Sequence, residues 1–265
     1  MKIGFLGGGN MAAAMIGGLH ARHDIVVVEP DAAKGTALAE RYGIATETVP
    51  AALFDCEVIV LAVKPQQLHG ALSGWPILRP DQLIISVAAG IRAADIARWL
   101  GGHLAIVRCM PNTPALVGAG ITGLFALPGV SAPQRAAADT ILGAVGQVVW
   151  VDPEAQIDAV TAISGSGPAY VFVCIEALEV AARELGLAAD TARQLALHTF
   201  LGAARLAVED GSDPAELRAR VTSKGGTTER GVAALEAANL RGAFQKAAQD
   251  AAARAAEMGD LFGKE

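Results

Sequence analysis

The chain has 265 residues, more than a single domain usually contains, so its length predicts one large domain or, preferably, two medium domains with enough material for a buried core. Its residues are 52% hydrophobic but only 5% aromatic, which indicates that alanine supplies much of the apolar content and favours closely packed helices. The formal net charge of -6 gives no basic surface for nucleic acid and argues against DNA or RNA as a partner.

Cysteine usage and the first residues of the chain predict the compartment. The three cysteines, Cys56, Cys109 and Cys174, are widely spaced and odd in number, so the sequence indicates neither a disulfide framework nor a metal site. The chain begins with the strand-like KIGFLG and shows no targeting peptide. The longest uncharged run, residues 109–134, is interrupted by prolines and cannot form one membrane-spanning helix. We expect a cytoplasmic protein without a metal or a membrane partner.

The first half of the chain alternates β-branched runs with alanine-rich helical segments, as expected for an α/β domain with a parallel sheet. The predicted strands, in chain order, are KIGFL, IVVVE, EVIVLAV, QLIISV, LAIVRC, ITGLFAL and QVVWV. The predicted helices between them are NMAAAMIGGLHAR, AKGTALAERYG, QQLHGALSG, AADIARWLG and APQRAAADTILGAV.

After residue 152 the strand signals end and long helical signals follow, which predicts an all-α second half. Its predicted helices are GPAYVFVCIEALEVAAREL, DTARQLALHTFLGAARLAVED, DPAELRARV, TTERGVAALEAAN and RGAFQKAAQDAAARAAEMGDLF. Asp190 and Asp213 are the predicted N-caps of two of these helices, and Gly211 is a predicted helix end. The sequence thus predicts domains at residues 1–152 and 153–265.

A glycine-rich loop follows the first strand. Gly7 permits a tight turn, Gly9 lets a pyrophosphate approach the backbone, and Ala12 lets the helix pack closely on the strand. A diphosphate would lie at the helix N-terminus, where free N–H groups favour anions. The alternative is a tight strand-to-helix turn in an unrelated α/β protein, but the position of the loop at the start of the chain favours a dinucleotide-binding domain.

Glu29 ends the second predicted strand, where a carboxylate accepts hydrogen bonds from the adenosine ribose and repels a 2′-phosphate, which favours NAD. The alternatives are that Glu29 is an ordinary surface residue and that the nearby Lys34 binds a phosphate.

The loops at the carboxyl ends of the later strands are also expected to line the ligand crevice. Lys64 is either a cation near a phosphate or ribose, or a lysine whose stem lies along the surface. Ala88 and Ala89 either admit a nicotinamide ring or serve close packing. The predicted cofactor-binding residues are Leu6, Gly7, Gly8, Gly9, Asn10, Met11, Glu29, Ala62, Val63, Lys64, Pro65, Val87, Ala88, Ala89 and Asn112.

The order of five motifs, GFLGGGNMA, AVKPQ, MPNTPAL, SGSGPAYVF and SKGGTTERG, resembles the pyrroline-5-carboxylate reductase family over nearly the whole chain. The resemblance implies a Rossmann-like N-terminal domain and a helical C-terminal domain for dimerisation and substrate binding. It also implies NAD(P)H-dependent reduction of (S)-1-pyrroline-5-carboxylate to L-proline, the last step of proline biosynthesis. NADP(H) is the expected cofactor because many members prefer NADPH, and Glu29 keeps NAD(H) possible.

The same resemblance assigns roles to the loop SKGGTTERG. The amides of Gly225, Gly226 and Thr227 would hold the substrate carboxylate. The Thr228 hydroxyl, the predicted catalytic group, would contact the ring nitrogen. The residues alone also allow a glycine turn in which Thr227 or Thr228 is a helix N-cap. Lys224 departs from the family pattern, which often has proline there.

Two other functions are compatible with parts of the sequence. A β-hydroxyacid dehydrogenase needs a positioned acid or base, commonly a lysine on the long interdomain helix, and residues 164–185 contain no lysine. A non-catalytic nucleotide-sensing protein would use the first glycine loop but not the second.

The long helices of the second half carry apolar residues around much of their circumference. A thin helical layer cannot cover such faces by itself, which predicts a homodimer with interleaved C-terminal halves or a higher oligomer of dimers.

Overall fold

The computed structural model describes residues 1–263, so Lys264 and Glu265, the end of the predicted helical domain, lie outside the described residues. The chain forms two compact units, one of residues 1–166 with the chain from residue 248 onward and one of residues 167–247. This division differs from the predicted boundary at residues 152 and 153. The reason is packing, because residues 153–166 and the end of the last helix lie against the elements of the first unit.

The first unit contains one sheet in the order β3-β2-β1-β4-β5-β6-β7-β8. Its strands are β1 Lys2–Leu6, β2 Asp24–Val28, β3 Ala45–Glu47, β4 Val58–Leu61, β5 Leu83–Ser86, β6 Ile106–Met110, β7 Gly120–Ala126 and β8 Gly146–Trp150. All seven predicted strands are confirmed, whereas β3 was not predicted because it has three residues and little burial. The sheet is mainly parallel, as predicted, but β7 pairs antiparallel with β6, and β8 is parallel to β7.

The helices of the first unit are α1 Asn10–Leu19, α2 Ala32–Tyr42, α3 Pro65–Leu72, α4 Ala93–Trp99, α5 Ala132–Gly143 and α6 Gln156–Val160. Those that follow are α7 Gly167–Glu184, α8 Ala189–Asp210, α9 Pro214–Arg220, α10 Thr227–Ala237 and α11 Leu240–Phe262. Short 3-10 turns lie at Pro50–Leu53 and Thr113–Val117, and a π-helical turn lies at Thr161–Gly165. All ten predicted helices are confirmed, and α6 is the helix that the sequence did not predict.

The core of the first unit lies on both faces of the sheet. Ile3 and Phe5 of β1 face one cluster, and Leu6 faces the other. Each of these side chains is at most 4% exposed. Complete burial of such a side chain contributes about 1.5–3 kcal/mol. Because side chains pack against both faces of the sheet, the sequences of the parallel strands are continuous apolar runs.

Of the three predicted helix ends, two are confirmed and one is wrong. Asp213 accepts a hydrogen bond from the Ala215 amide at 2.7 Å, and Gly211 ends α8 in the left-handed conformation with φ 72°. The prediction of Asp190 as an N-cap is wrong, because α8 begins at Ala189 and its N-cap is Ala188. Asp190 therefore lies in the first turn, where a carboxylate is favourable next to free amides.

In the second unit, α7 and α8 pack together, yet only small side chains of α8 are buried. Large apolar residues with exposed side chains on these two helices include Val171, Phe172, Val173, Leu178, Val180, Leu195, Leu197, Leu201, Leu206 and Val208. An apolar surface of this extent indicates a protein or membrane partner.

The helical stretch Gln156–Glu184 is long and apolar enough to cross a membrane by length and composition. A single stretch of this kind is weak evidence for a membrane span, because helices that pack against protein meet the same criteria. The absence of a membrane partner therefore stays a prediction.

Candidate active site

The predicted cofactor residues lie on one edge of the sheet. Strands β1, β2, β4, β5 and β6 run parallel, so the loops that follow them leave at the same edge. The strand order reverses between β1 and β4, which opens a crevice at the carboxyl ends of these strands. The structure therefore places the loops after β1, β2, β4, β5 and β6 around one topological switch point.

The turn after β1 requires glycine at residue 7. Gly7 has φ 98°, and its amide donates to the Val28 carbonyl at 2.8 Å. A Cβ atom at Gly7 would lie 2.9 Å from the Ala62 carbonyl oxygen and 3.0 Å from Val63 Cγ1. The glycine thus provides the left-handed conformation and lets the loops after β1 and β4 approach each other.

The start of α1 is open to an incoming group. Its N-cap is Gly9, which provides no side-chain cap, so the first amides of α1 lack an intrahelical acceptor. A Cβ atom at Gly9 would meet nothing within 4 Å, whereas Ala12 is fully buried. The available space and the free amides suit a phosphate group at this position.

The carboxylate of Glu29 lies against the glycine loop. Its Oε2 accepts a hydrogen bond from the Gly8 amide at 2.9 Å, and its Oε1 accepts one from the Asp31 amide at 3.0 Å. Asp31 caps α2, and the Lys34 amide is the main reason that the pKa of Asp31 is lowered. Lys34 Nζ lies 3.5 Å from Asp31 Oδ2, so this side chain is directed at Asp31.

The loops after β4 and β5 provide small or half-buried residues. Ala62 and Val63 are half-buried, and Lys64 is exposed just before Pro65, the first residue of α3. After β5, Val87 and Ala89 are half-buried and Ala88 is buried. The loop is held locally because the Ala88 amide donates to Ser86 Oγ at 3.3 Å.

Asn112 has a structural role in the loop after β6. Its Nδ2 donates to the Ser164 carbonyl at 3.1 Å, and its Oδ1 accepts from the Ile121 amide at 3.0 Å. The side chain is therefore engaged within the fold, and the predicted contact with a cofactor would have to come from the backbone.

A buried ionic network that the sequence analysis missed joins three elements near this edge. The Arg108 side chain is 4% exposed and donates to Glu154 Oε1 and to Asp158 Oδ1, both at 3.1 Å. Glu154 Oε1 also accepts a hydrogen bond from the Ala93 amide at 2.8 Å. The signal was an arginine inside the apolar run IVRCM, since a buried charge requires a partner.

The second glycine loop precedes α10 in the other compact unit. The N-cap of α10 is Gly226, so the interpretation of Thr227 or Thr228 as the N-cap is wrong. The Gly226 amide donates to the Ser223 carbonyl at 3.0 Å. The Gly225 amide donates to Glu229 Oε2 at 2.7 Å, so this amide already binds a carboxylate.

The free donors of this loop therefore differ from the predicted set. Thr227 and Thr228 are the first residues of α10, and amides at these positions have no intrahelical acceptor. Both residues are exposed. A substrate carboxylate that reached the Gly225 amide would have to displace Glu229, whereas the Thr227 and Thr228 amides are available.

The described residues contain no group of three or more His, Cys, Asp or Glu side chains arranged to hold a metal ion. Burial strongly raises the pKa of the Cys109 thiol, whose Sγ donates to the Ser86 carbonyl at 3.2 Å. The Cys109 side chain is thus a neutral packing group rather than a nucleophile.

Comparison with known proteins identifies the family. Residues 154–258 match the family model for pyrroline-5-carboxylate reductase dimerisation, and residues 2–90 match the model for NADP oxidoreductase, coenzyme F420-dependent. The pyrroline-5-carboxylate reductase of Pseudomonas aeruginosa is 45% identical, with 99% of this chain and 98% of that protein covered.

Two solved structures of pyrroline carboxylate reductases are similar to this chain over nearly its whole length. A pyrroline-5-carboxylate reductase from Coxiella burnetii has 43% identity and a TM-score of 0.88, with 97% of each chain covered. The Plasmodium falciparum pyrroline carboxylate reductase, solved with NADP bound, has 27% identity and a TM-score of 0.86, with 98% of each chain covered. The fold is therefore Rossmann-like in its N-terminal part and helical in its C-terminal part, and the chain belongs to the pyrroline-5-carboxylate reductase family.

Proposed function

We propose that this chain reduces (S)-1-pyrroline-5-carboxylate to L-proline with NADPH as the preferred hydride donor, the last step of proline biosynthesis. The observation that carries the proposal is full-length membership of the reductase family together with both of its glycine loops. NADH is a possible second donor because the Glu29 carboxylate lies at the glycine loop.

The loops at the carboxyl edge of the sheet fit a dinucleotide. The free amides at the start of α1 would hold the diphosphate, and the close approach permitted by Gly7 shapes the loop around it. The small side chains of Ala88 and Ala89 would let a flat ring approach the backbone of the loop after β5. When bound, the reduced nicotinamide supplies the hydride.

The loop before α10 fits an anionic substrate. The Thr227 and Thr228 amides lie at the start of α10, where free N–H groups favour an anion. The Gly225 amide already donates to a carboxylate, that of Glu229. We assign the substrate carboxylate to the amides of Gly225, Gly226 and Thr227 and the imine nitrogen to the Thr228 hydroxyl. The Thr227 amide is free for this contact, whereas the carboxylate would displace Glu229 from the Gly225 amide and the Ser223 carbonyl from the Gly226 amide. Solvent readily protonates the imine, so the residues have to position the substrate rather than act as a strong acid.

The dimerisation model that matches residues 154–258 and the exposed apolar helix faces support a homodimer. We further propose that the C-terminal halves interleave and that dimers can assemble into a higher oligomer. A cytoplasmic location without membrane or nucleic-acid partners belongs to the same proposal.

The test is NADPH oxidation by the purified protein with and without the cyclic imine. We expect turnover only when the imine is present, a loss of about 10²-fold in kcat/KM for Thr228→Ala, and nearly full activity for Thr228→Ser. Thr222→Ala is a matched control, because the Thr222 hydroxyl donates to the Arg218 carbonyl within the same unit.

Two results would contradict the proposal. Turnover of 3-hydroxyacids with oxidised cofactor, at a rate equal to that with the imine, would support a β-hydroxyacid dehydrogenase. Cofactor binding without turnover of either substrate would support a nucleotide-sensing protein.

A further inference from the structure

The Arg108 network connects three segments of the chain, namely β6, residues 154–158 and the backbone at the start of α4. Glu154 and Asp158 are four residues apart, which places both carboxylates within reach of one guanidinium group on β6. One arginine and two carboxylates leave an excess negative charge in a largely buried cluster. The Ala93 amide at the start of α4 offsets part of this charge by donating to Glu154.

Fold stability alone is a weak reason for such a cluster. A buried ion pair contributes little compared with apolar side chains of the same volume, because the charges must leave water. The chain nevertheless places Arg108, whose side chain is 4% exposed, on the strand that pairs with β5 and β7. The position of the cluster relative to the neighbouring loops suggests a second role.

The network fixes the far end of the loop after β5. Residues 87–92 lie between the end of β5 and the start of α4. They include the predicted cofactor-binding residue Val87 and the two alanines proposed to admit the nicotinamide, Ala88 and Ala89. The near end is held by β5 and by Ser86 Oγ. The N-cap of α4 is Arg92, which makes no side-chain capping bond, so Glu154 supplies the acceptor for the first helical amide.

The same network reaches the loop after β6. Arg108 lies in β6 and binds Asp158 of α6, which leads into the π-helical turn. The Ser164 carbonyl of that turn accepts a hydrogen bond from Asn112 in the loop after β6. The Arg108, Glu154 and Asp158 side chains thus couple the loops after β5 and β6.

We propose that Glu154, held by Arg108, is a positioning residue that fixes the nicotinamide-side loop, residues 87–92, for hydride transfer. This inference rests on the proposed function, because it takes the loop to be the one that carries the nicotinamide. Glu154 acts through the Ala93 amide and has no contact with the substrate.

The experiment compares three variants of the full-length protein by steady-state kinetics with NADPH and the cyclic imine. Glu154→Met removes the acceptor for the Ala93 amide, and Glu154→Gln keeps a side-chain oxygen there. Gln82→Met is the matched control, since Gln82 is 1% exposed at the opposite end of β5 and its amide group binds the Phe54 and Cys56 carbonyls. Each variant is also unfolded in denaturant to measure its stability.

We expect Glu154→Met to lower kcat about 10- to 100-fold, as a displacement of about 1 Å at the reacting centre does. Glu154→Gln should recover most of this loss. The kinetic isotope effect with NADPH deuterated at both C4 positions should rise in Glu154→Met, because hydride transfer becomes slower. Gln82→Met should lose stability but keep its kcat and isotope effect.

The inference is overturned if Glu154→Met loses no more kcat than Gln82→Met at an equal loss of stability, or if Glu154→Gln is as impaired as Glu154→Met. These results differ from a failure of the proposed function, which would appear as a wild-type protein without imine reductase activity.

Discussion

Replacing Glu29 with serine is expected to shift the cofactor preference toward NADPH. In the structure the Glu29 carboxylate binds the Gly8 amide at 2.9 Å and the Asp31 amide at 3.0 Å. A cofactor whose adenosine ribose lies at the end of β2 would place a 2′-phosphate near this carboxylate. The substitution removes a like charge and also frees two backbone donors.

The repulsion between the Glu29 carboxylate and a 2′-phosphate sets the expected change in cofactor preference. Two like unit charges about 5 Å apart repel by roughly 1 to 3 kcal/mol as the effective dielectric constant falls from about 80 to about 20. Glu29 is half-buried, so a value of about 1 to 2 kcal/mol is appropriate. Since about 1.4 kcal/mol is tenfold, the ratio of kcat/KM for NADPH to that for NADH should rise roughly 5- to 30-fold.

The assay measures kcat/KM for both cofactors at a saturating concentration of the cyclic imine. Glu47→Gln is the matched control, because Glu47 is an exposed carboxylate at the end of the neighbouring strand β3 and only its backbone carbonyl binds Glu29. A ratio that is unchanged in Glu29→Ser, or that changes equally in Glu47→Gln, would refute a specific role for Glu29.

Three further predictions concern stability and assembly. Gly90→Ala should lower the free energy of unfolding by about 2–4 kcal/mol in denaturant titrations, because Gly90 has φ 79° and its Cβ would lie 2.8 Å from Met258 Cβ. Phe172→Glu, at a side chain that is 59% exposed, should shift the protein from dimer to monomer in sedimentation velocity at low micromolar concentration. Burial lowers the pKa of His103 below 6.5, so the unfolded state binds more protons below about pH 6.5 and stability falls there. His103→Gln should therefore flatten the loss of stability between about pH 7 and pH 5.

Control variants separate these specific effects from a nonspecific loss of stability or assembly. Gly101→Ala tests strain alone, because Gly101 has φ 66° and no atom within 4 Å of an added Cβ. A loss as large as that of Gly90→Ala would contradict the role of the Met258 contact. Ile77→Glu changes a side chain that is 93% exposed in the first unit and should leave the dimer intact. A dimeric Phe172→Glu variant, or an unchanged pH slope in His103→Gln, would contradict the other two predictions.

Much of the fold was predictable because it depends on local properties of the chain. The apolar strand runs, the alanine-rich helices and the turn at Gly7 each follow from residues close in sequence. The glycine turn before α10 was predicted, but its hydrogen bonds were not. The side chain of Glu229, four residues after Gly225, competes for the same amide, and composition alone does not decide which acceptor an amide binds.

The sequence by itself determined where strands, helices and glycine turns form, because backbone dihedral preferences and apolar periodicity act over a few residues. Only the tertiary structure decided the direction of β7 and β8, since no local signal distinguishes a parallel from an antiparallel partner. It also decided the partners of Arg108, which lie 46 and 50 residues away in the chain. Such long-range pairs form only when packing brings distant segments together, and the cost of a buried charge then selects the carboxylates that surround it.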